Sequence, residues 1–268
     1  MKIDQTAPVI TAAAAPAPNA SGWNREDVTV TFTCNDATSG ILSCTSPVTV
    51  TAEGADQHIT GTAVDAAGND AVASATVSID KTAPTITATV SPSPNANGWH
   101  NTDVTVTFAC GDTLSGIAFC PEPVTVTTEG AGQTITGTAV DKAGNPATTS
   151  VTLNIDKTPP ALSVTVAPGM LWPPDHRMVT LTPSITVTDA SSGTMVKLTT
   201  VTSSEPDNGL GDGDTENDIA VNSDGTVSLR AERSGLGTGR VYTITYQATD
   251  MGGNTSTASA TVLVPHDI

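Results

Sequence analysis

The string Ile79-Asp80-Lys81-Thr82-Ala83-Pro84 occurs three times with small changes, as Ile3-Asp4-Gln5-Thr6-Ala7-Pro8 and again as Ile155-Asp156-Lys157-Thr158-Pro159-Pro160. The copies are about 76 residues apart, and a fixed period of that size restricts the chain to a tandem array of small units. Laid over each other without a gap, residues 3–78 and 79–154 agree at roughly six positions in ten, with their Trp, Cys, Asp and Gly landmarks in register. Each copy closes a strand-like run with an acid and stops it with a proline, which has no N–H for a sheet ladder and holds its own φ near one value. The string is therefore read as a joint. It divides the chain into domains at 1–79, 80–155 and 156–268, the first two near the small end of what folds independently.

Within the first unit Val28, Val30, Phe32 and Cys34 alternate with threonines, a period of two that places the apolar set on one face of a strand; Val104, Val106, Phe108 and Cys110 repeat it. Further strands are expected at 47–51, 58–65 and 72–79, separated by Glu53-Gly54 and Ala66-Ala67-Gly68-Asn69. Threonine, valine, alanine and serine dominate, aromatic residues make up 3%, and no long run has a 3.6-residue apolar period. The expectation is an all-β chain: three tandem immunoglobulin-like antiparallel β-sandwiches in an elongated array, the third longer and with an insertion. Gly40 and Gly116 fall where a turn needs a positive φ.

The four cysteines form one pair per short unit, Cys34 with Cys44 and Cys110 with Cys120, each closing a loop of about ten residues. No C-x-x-C knuckle, histidine at ligand spacing or unpaired cysteine favours zinc or a reactive thiol, so disulfides and an oxidising compartment are expected. Units this small, with alanine and glycine where larger cores carry leucine, need such a staple.

The formal charge of -17 argues against nucleic acid or an anionic membrane as partner and towards cations, although acidity also serves plain solubility. No apolar run reaches the length of a membrane span, and Met1-Lys2-Ile3-Asp4 lacks the apolar middle of a secretory signal. The chain begins inside the joint string, as a fragment cut from a longer array would.

Asn95-Ala96-Asn97-Gly98-Trp99, Asp103-Val104-Thr105-Val106-Thr107, Asp112 with Ser115-Gly116-Ile117, Ala139-Val140-Asp141-Lys142-Ala143-Gly144-Asn145 and Ile155-Asp156-Lys157-Thr158 together resemble the bacterial immunoglobulin-like repeats of large secreted and cell-surface proteins. Both short units match throughout; the stretch after Ile117 is shorter than in many relatives and carries the cysteine pair. The resemblance implies an extracellular stalk, spacer or adhesive arm, with calcium at domain joints in some members.

In such a sandwich, the loop after the second strand and the turn before the last strand lie at the end where the chain enters. Joint, loop and turn would then bring together Asp4, Asp36, Asp65 and Asn69; Asp80, Asp112, Asp141 and Asn145; and Asp156, Asp189, Asp250 and Asn254. Carboxylates and an amide oxygen without thiolate or imidazole suit a hard cation such as calcium. The competing reading is that Asp65 and Asp141 only shape tight turns and the joint aspartates are solvated.

The third unit has Leu171-Trp172-Pro173-Pro174 where the others have Gly-Trp, and Trp172 is expected as a wedge against the sandwich in preference to a sugar platform. Its insertion spaces Asp212, Asp214, Glu216 and Asp218 by two. This is not an EF-hand, since Asn217 and Ser223 replace the turn glycine and closing glutamate, and calcium or simple solvation are equal readings. No nucleophile elbow, H-E-x-x-H or phosphate loop is present, and nothing sets a carboxylate pair at glycosidase spacing, so no enzyme is expected. The expected function is a non-catalytic structural or adhesive segment whose partners are adjacent domains of the same larger chain. A carbohydrate- or surface-binding module with the third domain as its tip, and a filament subunit, are the alternatives.

Overall fold

A computed structural model describes residues 3–207, 215–235 and 237–267. Among them there is no helix; every regular element is a β-strand. Cα packing divides the chain into two compact units, Met1–Ser91 with Thr105–Val124 and Thr134–Val151, and Pro92–Val104 with Thr125–Gln133 and Thr152–Ile268.

In the first unit β1 (Val9–Ala15), β2 (Val28–Asn35) and β4 (Val48–Val50) form one antiparallel sheet, in the order β1-β2-β4. A second sheet consists of β3 (Ile41–Cys44), β5 (Gly54–Asp65) and β6 (Asp70–Ile79), in the order β3-β5-β6. The alternation in β2 behaves as the period of two requires: Val28, Val30 and Phe32 are buried and meet Val50, Val77 and Ile79 in one core. The two sheets come so close that a Cβ at Gly61 would lie 2.4 Å from the Phe32 ring, which leaves room only for glycine.

The second repeat copies this order. Its strands are β7 (Thr85–Ser91), β8 (Val104–Gly111), β9 (Ile117–Phe119), β10 (Val124–Val126), β11 (Gly130–Asp141) and β12 (Pro146–Ile155), in sheets β7-β8-β10 and β9-β11-β12. Both expected disulfides are present, Cys34–Cys44 and Cys110–Cys120, each at a sequence separation of 10. Gly40 and Gly116 have φ of 82° and 80°, in the left-handed region that favours glycine.

Residues 161–265, all in the second unit, contain β13 (Ala161–Ala167), β14 (Met178–Thr180), β15 (Thr182–Thr188), β16 (Thr194–Ser203), β17 (Ile219–Val221), β18 (Val227–Arg230), β19 (Gly239–Asp250) and β20 (Thr255–Pro265). They form sheets β13-β15, β16-β19-β20 and a small extra sheet β14-β18-β17, to which the insertion contributes β17 and β18. Their core gathers Val164, Leu171, Leu229, Tyr242, Ile244 and Val262. Leu171 is the wedge at 3% exposure. Trp172 is 47% exposed, so the sequence-based expectation chose the wrong neighbour: the chain turns at Trp172-Pro173, and the aliphatic residue before it packs inward.

Candidate metal centres at the joints

At Asp80 and Asp156 the strand that ends a repeat leads directly into the joint aspartate. In the first unit Ile79 bridges Asn24, and the Asp80 N–H donates to the Asn24 carbonyl at 2.9 Å, so the joint leaves the preceding sheet already fixed. Lys81 pins it from the same side, its ammonium pairing with Asp27 and donating to the Thr51 carbonyl, while Glu53 accepts from Thr82 Oγ1 at 3.1 Å. Lys157 repeats the arrangement with Asp103 at 2.8 Å and the Thr127 carbonyl. Sequence reasoning missed this lysine clamp. Its only sequence signal is that the lysine recurs at the same place in both joints.

From the other side a loop that crosses between the sheets and a hairpin turn reach the joint. Asp80, Asp112 and Asp141 bring carboxylate oxygens within 4.8 Å of one another, as do Asp4, Asp36 and Asp65, and Asp156, Asp189 and Asp250. Asp80 and Asp156 are fully buried and Asp141 is 1% exposed. Asp80 accepts from the N–H of Thr82 and of Ser115, both at 3.0 Å; Asp112 accepts from the N–H of Leu114 and Gly116; Asp141 accepts from the N–H of Gly144 and Asn145. The first cluster is built alike, with Asp36 held below the usual carboxylate range by the Ser39 N–H, and then by those of Gly40 and Thr38. Burial drives Asp156 the other way: desolvation raises its pKa, the Ser192 hydroxyl at 2.6 Å opposes this, and the charges of Asp189 and Asp250 add to it.

The asparagines do not act as the sequence suggested. Asn145 turns its amide nitrogen, not its oxygen, to the joint, donating to Asp141 Oδ2 at 2.8 Å and to the Asp80 carbonyl at 3.0 Å. Asn69 donates to Asp65 at 2.7 Å, and Asn254 to Asp250 at 2.9 Å and the Asp156 carbonyl at 2.8 Å. Each latches turn to joint because the bare backbone carbonyl needs a donor. The protein ligands of a cation would be the carboxylates and not the asparagine amides. Three carboxylates whose oxygens lie this close repel one another, and a cation between them relieves that repulsion. Asp4 Oδ2 and Ser115 Oγ are buried with no hydrogen-bond partner, which fits an oxygen-ligated cation beside them.

The acidic insertion is organised differently. Asp212 and Asp214 lie outside the described residues. Asp218 is 1% exposed and is no free cation ligand, because Oδ2 pairs with Arg240 and Oδ1 with Arg230 at 3.2 Å. Glu216 contributes its carbonyl to Arg230 at 2.9 Å. Arg240, fully buried, also reaches Glu205 at 3.2 Å and Tyr242 Oη at 3.1 Å. Burial pushes the Tyr242 phenol up to about 12, and pushes Asp218 up against the opposing pull of Arg240. The network was readable in part: Arg240, Tyr242, Ile244, Tyr246 and Ala248 keep a period of two, which places the arginine on the core face.

No family model matches this chain, and no curated protein matches it. Among solved structures it is similar to a 1.5-MDa bacterial ice-binding adhesin, described for host cell surface retention, at 15% identity and TM-score 0.37 over 97% of this chain and 98% of that one. It is also similar to a tetra-tandem repeat in the extending region of a large adhesion protein, at 20% identity and TM-score 0.32 over 99% and 76%. Extracellular cadherin domains 1–5 of protocadherin gamma B2 match at 16% identity and TM-score 0.34 over 95% of this chain and 52% of that one, so the chain spans about half of them.

Proposed function

We propose that the chain is a non-catalytic structural or adhesive segment of an extracellular or cell-surface protein. On this reading it is a row of three immunoglobulin-like sandwiches, at 1–79, 80–155 and 156–268, stiffened by disulfides and by calcium at the joints. One observation carries this reading. The same three-carboxylate set recurs wherever the joint string occurs, each time made by the joint aspartate, the loop after β2, β8 or β15 and the turn before β6, β12 or β20. Calcium suits it because every available ligand is a hard oxygen and the remaining coordination sites can be filled by water. The two disulfides support an oxidising location.

Thermal unfolding with calcium and with chelator tests the metal. Calcium in excess of its Kd raises Tm by several degrees, and D80N combined with D112N removes the part of that shift that belongs to their joint. An identical midpoint in both conditions overturns calcium binding. The exposure of Trp172 favours a second reading, in which the third domain contacts a glycan or protein surface. Tryptophan emission that stays constant across a panel of soluble glycans and surface proteins removes it.

A further inference from the structure

A second contact recurs with the repeat, between a loop that the metal reading does not use and the turn that carries Asp141 or Asp250. Asn19 Nδ2 donates to the Lys142 carbonyl at 2.8 Å, and Asn95 Nδ2 donates to the carbonyls of Met251 and Gly252 at 2.9 and 3.0 Å. Both asparagines head the same loop, Asn-Ala-x-Gly-Trp. In both, Oδ1 is spent inside the loop: it accepts from Ser21 and Trp23 N–H at 2.9 and 3.1 Å, and from Asn97 and Trp99 N–H at 2.9 and 3.1 Å. The loop thus fixes the amide and leaves its N–H groups facing outward. Lys142 and Met251 hold the same place, the residue after the aspartate of the turn before a last strand.

We propose that the tip of the first repeat, with the Ala66 carbonyl at its centre, is a docking surface for the Asn-Ala-x-Gly-Trp loop of a further repeat. Ala66 stands where Lys142 and Met251 stand in the occupied contacts. Ala66, Ala67 and Gly68 are exposed, and among the described residues no hydrogen bond reaches the Ala66 carbonyl. The chain offers three such turns and two such loops, because residues 169–176 read Gly-Met-Leu-Trp-Pro-Pro-Asp-His at the third loop position. Among the described residues no such loop lies on the Ala66 carbonyl. A bare carbonyl at a rigid turn, facing a donor already oriented by its own loop, costs little ordering entropy on docking.

The inference rests on the stacked-repeat reading but not on calcium, so its test is run in chelator. A second copy of residues 79–154 is fused directly before Ile3, and amide exchange is followed at 66–69. Docking slows exchange there about fivefold to tenfold, the worth of about one hydrogen bond, relative to the unfused chain. Asn95→Asp in the added copy keeps the oxygen that shapes the loop and loses the donor, and returns the rates to the unfused values. Asn19→Asp in the unfused chain correspondingly speeds exchange at 142–145. Unchanged rates at 66–69 on fusion, protection that survives Asn95→Asp, or indifference of 142–145 to Asn19→Asp would each overturn the proposal. Loss of the calcium shift in melting with these results intact would sink only the metal.

Discussion

The first repeat is held by Val28, Val30, Phe32, Val77 and Ile79 together with one disulfide, whereas residues 156–268 have no cysteine and bury Arg240 against Asp218. The repeat has few large side chains, so its fold gains from constraining the unfolded chain. The longer region has Leu171, Leu229, Tyr242 and Ile244 to fill its interior, and with that apolar mass it tolerates Arg240 fully desolvated. The lesson is that a small core takes a covalent staple, while a larger one can carry a buried ion network. They also fail differently: a disulfide acts mainly on the unfolded state, while a buried pair punishes the loss of one partner in the folded state.

The sharpest way to break this contrast is R240M. It leaves buried Asp218 with Arg230 as its remaining cation, takes a partner from half-buried Glu205, and is expected to cost about 3 kcal/mol in urea unfolding of the 156–268 region. Adding D218L to R240M recovers part of that loss, because the uncompensated charge goes with it. Recovery of nothing would mean that Arg240 acts through packing alone.

A smaller effect is expected from C34S with C44S. Removing that loop closure lowers the stability of the first repeat by about 2 to 3 kcal/mol. The transition of residues 156–268 keeps its midpoint, in the variant and under reductant alike.

The smallest effect separates the two short repeats from each other. His100 is 5% exposed, and burial holds it below its ordinary value of 6.5; the matching residue in the first repeat is Asn24. Unfolded histidine binds the proton more readily than folded His100, so the contribution is present above pH 6.5 and is lost as pH falls below it. The second repeat therefore loses more stability on mild acidification than the first. H100N, which copies the first repeat, flattens the difference in pH-resolved unfolding.

Much of the candidate site was legible because it is local and periodic. A strand end at Asp80, a loop glycine at Gly116 and a turn of the form Asp141-x-x-Gly144-Asn145 each follow from short-range rules, and sandwich topology places all three at one end. Trp172 and Asp218 were misread for one reason, namely that side-chain burial depends on neighbours distant in sequence. Trp172 lost its place to Leu171, and Asp218 found Arg240, which lies 22 residues away.

The sequence by itself determined the period, four of the six strands of the first repeat, the cysteine pairs and the choice of acids at the joints, because alternation, proline and glycine act within a few residues. Only the tertiary structure decided which atoms those acids face. It showed that Asn69, Asn145 and Asn254 offer nitrogen and not oxygen to the joint, and that Lys81 and Lys157 clamp it from behind. Hydrogen-bond direction is set by whichever unmatched carbonyl or carboxylate packing brings near, and no spacing along the chain encodes that.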